Sequence, residues 1–216
     1  MEKPRLVIWG AAGHAMVVAD IVRLANEYVI AGFLDDINQK RWGESFCQST
    51  IVGGEEQLSA LKAQGVTHAI VAFGNNAIRL QKSERAIKEG FQLATLIHPR
   101  TVVARDSSIG PGTVIAAAAV VNCGAKLGKA VIVNTAATVD HECVVQDGAH
   151  IGPGVHIAGR VTVGALSWIG IGASIRDGVR IGAEAIVGAG AAVLHDIPDK
   201  AVAYGVPAKI RDEPEK

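Results

Sequence analysis

The stretch IGPGVHIAGRVTVGALSWIGIGAS, residues 151–174, decides the fold. Cut into sixes it reads IGPGVH, IAGRVT, VGALSW and IGIGAS, each opening on Ile or Val and carrying Val, Ser or Ala at its fifth place. The phase runs on in both directions. Seventeen consecutive hexads, 97–198, all open on Val, Ile or Leu, and sixteen hold Ala, Ser, Thr, Cys or Val fifth, Ile197 being the exception. A period of six held for about a hundred residues is an internal repeat. Each hexad predicts one short flat strand and a turn, with the first-place aliphatic inward and the small fifth-place residue near a crowded corner. Glycine, frequent at the second place, suits corners that need positive φ. Three hexads make one triangular coil of eighteen residues, and successive coils stack at about 4.8 Å.

Before residue 97 the pattern differs. Arg5–Trp9 reads as a buried strand, followed by GAAGHA and a helical pattern over Met16–Asn26. Tyr28–Leu34, His68–Phe73 and Phe91–Ile97 read as further strands, with helices over Glu55–Gln64 and Ala77–Glu89. Strand and helix in alternation imply a parallel sheet with crossover helices. Residues 38–54 show no period and are expected to be a loop. The predicted organisation is an α/β Rossmann-like domain over 1–96 and an all-β parallel β-helix of hexapeptide repeats over 97–216.

Composition narrows the function. Lys plus Arg equals Asp plus Glu at 21 each, and no basic block occurs, which argues against nucleic acid or an anionic membrane as partner. The three cysteines, Cys47, Cys123 and Cys143, form no CxxC pair. A reducing cytoplasm is the expected setting. The apolar run in MEKPRLVIWG is too short for a signal peptide, and no stretch reaches membrane-spanning length.

With the hexads and the closing YGVPAK (204–209), the sequence resembles the hexapeptide-repeat acyltransferases, whose repeats form a left-handed β-helix. The combination of a βαβ domain with GAAGHA, LDD, GNN, NTAATVDHECVV and YGVPAK resembles a narrower group. These are the PglD- and NeuD-type sugar acetyltransferases, which include perosamine N-acetyltransferases. The left hand is implied by the resemblance; the general crossover rule favours the right.

His141 and Glu142 stand at the third and fourth places of VDHECV, on a corner. A solvated charge pair would look the same, but imidazole accepts a proton near neutral pH and an adjacent carboxylate raises its basicity. The resemblance implies that His141 is the general base and Glu142 tunes it. Gly159 follows by eighteen residues, hence on the same corner. It is either an ordinary turn glycine or an oxyanion donor through its N–H. His150, nine residues after His141, lies across the triangle. The resemblance implies a homotrimer with active sites between adjacent β-helices, where this histidine touches acetyl-CoA. It also implies backbone contacts from Ile171 and Ala189 to the pantetheine arm, where simple packing would look the same. Lys209 could meet a coenzyme A phosphate, although an exposed tail lysine is commoner. His156 has no counterpart and reads as structural or surface. The spacings of His141, His150 and His156 do not match the zinc set of β-helical carbonic anhydrases, so no metal is expected; zinc binding with metal hydration chemistry stays as an alternative.

GAAGHA after a strand and before a helix makes a backbone anion site. Ala12 and Ala15 replace two glycines of GxGxxG, which argues against a nicotinamide cofactor. The resemblance implies that Ala12, Gly13, His14, Asp35, Asp36 and Gly74 contact a nucleotide-linked sugar. Asp35–Asp36 alone would read as a strand-ending turn. The expected reaction is acetyl transfer from acetyl-CoA to the 4-amino group of a nucleotide-linked 4-amino-4,6-dideoxy sugar, GDP-perosamine before a UDP-linked sugar. Direct attack is expected, because Cys143, at a fifth place, should point inward. The alternatives are O-acetylation of a sialic acid and a non-catalytic nucleotide-binding scaffold trimer.

Overall fold

The computed structural model describes residues 2–211. The chain divides into two compact units, Met1–Pro99 and Arg100–Lys216.

The first unit is built on β1 (Arg5–Trp9), α1 (Gly13–Ala25), β2 (Val29–Leu34), β3 (Ser45–Phe46), β4 (Ser49–Gly53), α2 (Leu58–Ala63), β5 (Val66–Val71), α3 (Asn76–Lys88) and β6 (Gln92–Leu93). Its sheet runs β3-β4-β2-β1-β5-β6 and is parallel apart from the β3–β4 pair. In β1, Leu6 through Trp9 are all fully buried, as a central parallel strand covered on both faces requires. α1 ends at Asn26, which takes the left-handed conformation (φ 57°) of a helix C-terminus. α3 opens on Asn75, whose side chain accepts from the Ile78 N–H at 3.0 Å.

Two expectations need correction. Residues 38–54 are not a loop: β3 and β4 form a hairpin, and β4 pairs with β2 through Phe33 and Ile51, both fully buried. The hairpin turn is Cys47–Gln48, at φ 45° and 57°. These positions usually carry Asn or Gly, so the turn signal was missing. Phe91–Ile97 is not one strand either, but two short ones, Gln92–Leu93 and Leu96–Ile97.

The second unit is a left-handed parallel β-helix. Residues pair with those eighteen positions on. One face stacks Val114, Ile132, His150, Trp168 and Ile186. The second stacks Val120, Thr138, His156, Ser174 and Ala192, and the third Lys126, Val144, Thr162 and Arg180. Every first-place aliphatic from Ile115 to Val193 and every fifth-place residue from Thr113 to Ile197 is at most 5% exposed. The core is therefore two stacked columns per face. Fifth-place polar atoms are satisfied across coils: Thr113 Oγ1 donates to the Gly128 carbonyl at 2.8 Å, and Ser167 Oγ to Gly182 at 2.5 Å.

The corners use glycine in two ways. The residue with positive φ is the fourth of each hexad, through all fourteen hexads from Gly112 to Gly190, whether it is Gly, Ala, Leu, Arg or Glu. Second-place glycines such as Gly110, Gly164 and Gly182 do not have positive φ. They are small because the next coil lies against them. A Cβ on Gly164 would fall 2.4 Å from both the Ala183 nitrogen and the Gly182 carbonyl carbon. Gly164→Ala should therefore destabilise the β-helix by about 1–3 kcal/mol, since only backbone movement relieves the overlap. A lower urea midpoint with an unchanged slope is the expected reading.

Candidate active site

The corner at 140–142 brings His141 and Gly159 together as the eighteen-residue register requires. The imidazole lies over the bare Cα of Gly159, where a Cβ would sit 2.4 Å from Nε2 and 2.5 Å from Cε1. His141 Nδ1 is 3.2 Å from Glu142 Oε2. In the neutral ring this contact places the proton on Nδ1 and leaves the Nε2 lone pair free on the Gly159 side. Glu142 occupies the left-handed fourth place (φ 57°), and its side chain passes over Gly124, whose Cβ would meet Glu142 Cγ at 3.5 Å.

Third-place N–H groups lie outside the coil-to-coil ladder. Those of Lys129, Thr135, His141, Ala165 and Ala183 are capped by side-chain oxygens. Those of Gly159, Ile171 and Ala189 have no partner among the described residues. The three backbone donors singled out from sequence are thus open. Ile171 and Ala189 share one corner, where the Ile171 carbonyl accepts from the Gly190 N–H at 2.8 Å. Ile171 is 59% exposed.

His150 faces outward, on a face that does not carry the His141 corner, and is half-buried. Asn134 fixes it. The Asn134 Oδ1 accepts from the Thr135 N–H at 2.8 Å, so its Nδ2 is turned to His150 Nε2 at 3.1 Å and donates to it. His150 therefore carries its proton on Nδ1. His156 is exposed and bonds Thr138 Oγ1 at 3.0 Å through Nδ1, as a surface residue. Cys143 is fully buried with Sγ against the Ala158 carbonyl at 3.1 Å, and burial raises its thiol pKa. It presents no nucleophile. Lys209 lies exposed on Lys209–Arg211, the strand antiparallel to Val202–Tyr204.

Sequence reasoning missed Asn134, Asn122 and Asp140, all second-place residues. Asp140 Oδ1 accepts from the His141 N–H at 2.7 Å and from Asn122 Nδ2 at 2.8 Å. These two bonds, the backbone one foremost, hold its carboxyl below the usual pKa. A departure from glycine or alanine at the second place was the available signal.

The first unit has its own pocket of about 370 Å³, lined by Gly10, Ala12, His14, Asp35, Arg41 and Gly74 among others. The α1 N-terminus opens on it without an acidic residue or a side-chain cap, so its first N–H groups stay available to an anion. An added Cβ on Gly74 would meet nothing within 4 Å, which leaves that side of the pocket open; the same is true of Gly13, which does not itself line the pocket. His14 Nε2 is buried without a partner among the described residues. Burial first, and the charge of Arg79 second, lower its pKa to about 4, so the ring is neutral. Arg79 is itself buried, its pKa lowered to about 10 by burial, and it holds the pocket wall through the Phe73 and Gly74 carbonyls at 3.0 and 3.3 Å.

The two acidic residues diverge. Asp35 lines the pocket, but its Oδ1 caps the Ile37 and Asn38 N–H groups at 3.0 and 3.1 Å and its Oδ2 pairs with Arg41 at 3.3 Å. Asp36 does not line it: Trp9 Nε1, the Glu55 N–H and Lys82 occupy its carboxylate at 2.7, 2.7 and 2.6 Å. Asp36 is placed as a structural anchor.

Residues 5–86 match the PglD N-terminal domain family. The whole chain is similar to a variant of the perosamine N-acetyltransferase of Caulobacter crescentus, solved with CoA and GDP-perosamine. Identity is 36%, coverage 96% of this chain and 97% of that one, and the TM-score 0.92. The acetyltransferase domain of PglB from Neisseria gonorrhoeae, solved with acetyl coenzyme A, is 40% identical over 97% of this chain and 100% of its own, with TM-score 0.91. WeeI of Acinetobacter baumannii shares the fold at 23% identity and TM-score 0.85. The chain belongs to the PglD-type sugar acetyltransferases of the hexapeptide-repeat family, and it is an acyltransferase.

Gly159→Ala should leave the melting temperature nearly unchanged, because the side chain of His141 can swing away. With His141 as the base, turnover should fall on the order of a hundredfold, as a misplacement of about 1 Å can cause. His14 generates a second expectation. Its folded pKa of about 4 lies below the unfolded value of 6.5, so the unfolded chain binds the extra proton between them. The associated stability is complete above pH 6.5 and is lost as pH falls toward 4. Urea unfolding at pH 7 and pH 4.5 should show a smaller acid loss in His14→Asn than in the wild type.

Proposed function

We propose that the protein transfers the acetyl group of acetyl-CoA to the 4-amino group of a nucleotide-linked 4-amino-4,6-dideoxy sugar. GDP-perosamine is favoured as acceptor and a UDP-linked sugar comes next. The observation that carries this reading is the free Nε2 edge of His141 seated on Gly159, with Nδ1 held by Glu142. The named relatives support amine acetylation, since one is a perosamine N-acetyltransferase and one was solved with acetyl coenzyme A.

In the proposed step the neutral sugar amine attacks the thioester carbonyl. His141 Nε2 takes the amine proton while Glu142 steadies the imidazolium through Nδ1. The open Gly159 N–H donates to the tetrahedral oxyanion. The C–S bond then breaks, CoA leaves as thiolate, and the proton on His141 is available to it. The open Ile171 and Ala189 N–H groups suit the amide carbonyls of pantetheine, and Lys209 suits a CoA phosphate. Assembly as a homotrimer would bring the partner subunit's His150 to acetyl-CoA. In the first unit, the α1 N-terminus with Ala12, Gly13 and His14 suits the anionic and polar parts of the nucleotide sugar, with Asp35 and Gly74 alongside. The setting we infer is cytoplasmic synthesis of a bacterial surface polysaccharide or glycan, lipopolysaccharide among them.

Thiol release from acetyl-CoA, measured against a panel of GDP- and UDP-linked 4-amino sugars, tests reaction and acceptor together. Release with an amino sugar and none with its 4-hydroxy analogue is expected; the reverse would overturn the assignment. In His141→Asn, kcat should fall about a hundredfold or more, the usual contribution of a general base, with CoA affinity little changed. Near-normal turnover in that variant would remove His141 from its role.

A further inference from the structure

Two corners of the β-helix differ from the rest. At most capped third-place N–H groups the capping oxygen comes from a neighbouring coil, as with Asp147 on Lys129 and Asp199 on Ala183. At 134–135 and 140–141 the cap comes instead from the second-place residue of the same corner, Asn134 and Asp140. These are the two places that serve the histidines: Asn134 also holds His150 Nε2, and Asp140 caps His141 itself.

Asp140 is further fixed from below. Asn122 stands eighteen residues earlier on the same corner, and its Nδ2 reaches the oxygen that caps His141, at 2.8 Å. One coil above, the second and third places are Ala158 and Gly159, so the polar stack ends there and the ring lies against the bare Gly159. The chain Asn122 to Asp140 to the His141 N–H fixes the backbone from which the imidazole springs. It also occupies that N–H, while the Gly159 N–H, one coil on, has no partner among the described residues.

We infer that Asp140 and Asn122 are positioning residues for the acetyl transfer, acting through His141 by capping its N–H and so setting where Nε2 stands over Gly159. This rests on the reading of His141 as the base. The role belongs to the oxygen of Asp140 and not to its charge: an amide oxygen can accept the same two bonds.

The test compares Asp140→Ala, Asp140→Asn and Asn122→Ala with His141→Asn in the thiol-release assay, with melting temperature measured alongside. Asp140→Ala should lose kcat by ten- to a hundredfold, the order expected for a displaced catalytic group. KM for acetyl-CoA should stay close to wild type. Asp140→Asn should recover most of that loss, and Asn122→Ala should show a smaller loss of the same kind. Wild-type kcat in Asp140→Ala would overturn the inference, as would Asp140→Asn falling as low as Asp140→Ala, which would make the charge decisive. A loss that tracks a lowered melting temperature and KM alike would assign the pair to stability alone and also overturn it. If His141→Asn itself turns over normally, it is the base assignment that fails, independently of these outcomes.

Discussion

Everything in the second unit depends on one constraint: a residue must lie directly over the residue eighteen positions on. The constraint comes from burial. An aliphatic at every first place and a small residue at every fifth fill a narrow triangular interior, and the pattern holds only if no coil slips. Each inward side chain meets its own copies, and each corner inherits a fixed neighbour above and below. His141 over Gly159 is a consequence of that register before it is a piece of chemistry.

The same constraint explains why so plain a sequence can hold a site. Inward places have no freedom, since any polar atom there must find a carbonyl, as Ser167 and Cys143 do. Chemistry is confined to the corners and the outward sixth places. The corner at 140–142 uses three successive places differently. Its second residue caps, its third presents the ring, and its fourth returns a carboxylate from a left-handed backbone at a cost of about 1–2 kcal/mol for a residue other than glycine. The first unit builds its pocket by the contrary rule, with one irregular turn after β1 leaving helix N–H groups and a neutral His14 exposed to a ligand.

Much of this was legible in the sequence, and the reasons differ by residue. The hexads are a strict pattern because burial acts on every one of them, so His141, Glu142 and Gly159 could be aligned by counting. The open N–H groups of Gly159, Ile171 and Ala189 follow from third-place geometry. What counting does not reveal is which side chain folds back on its own corner. Asp140 and Asn122 looked like any polar corner residues, and Asn134 gave no sign of holding His150. Asp35 and Asp36 are neighbours in sequence, yet one lines the pocket and the other is locked by Trp9, the Glu55 N–H and Lys82. The β3–β4 hairpin escaped because its turn dispenses with the residues that usually announce one. Glycine misled in the opposite sense, since most second-place glycines answer to the crowding of the next coil and not to φ.

The eighteen-residue register also sets what lengths the β-helix can take. Adding or removing six residues between His141 and Gly159 would leave every aliphatic inward and the fold intact. It would, however, rotate all that follows by one face, and the histidine would stand over a different corner. Twelve would do the same in the other sense. Only a whole coil keeps the columns in phase, and a whole coil placed between the two residues would still part them by one strand spacing. Length variation in such a protein is therefore quantised: tolerated by the core in steps of six, by the columns in steps of eighteen, and by the site only outside the segment from Asn122 to Ala189.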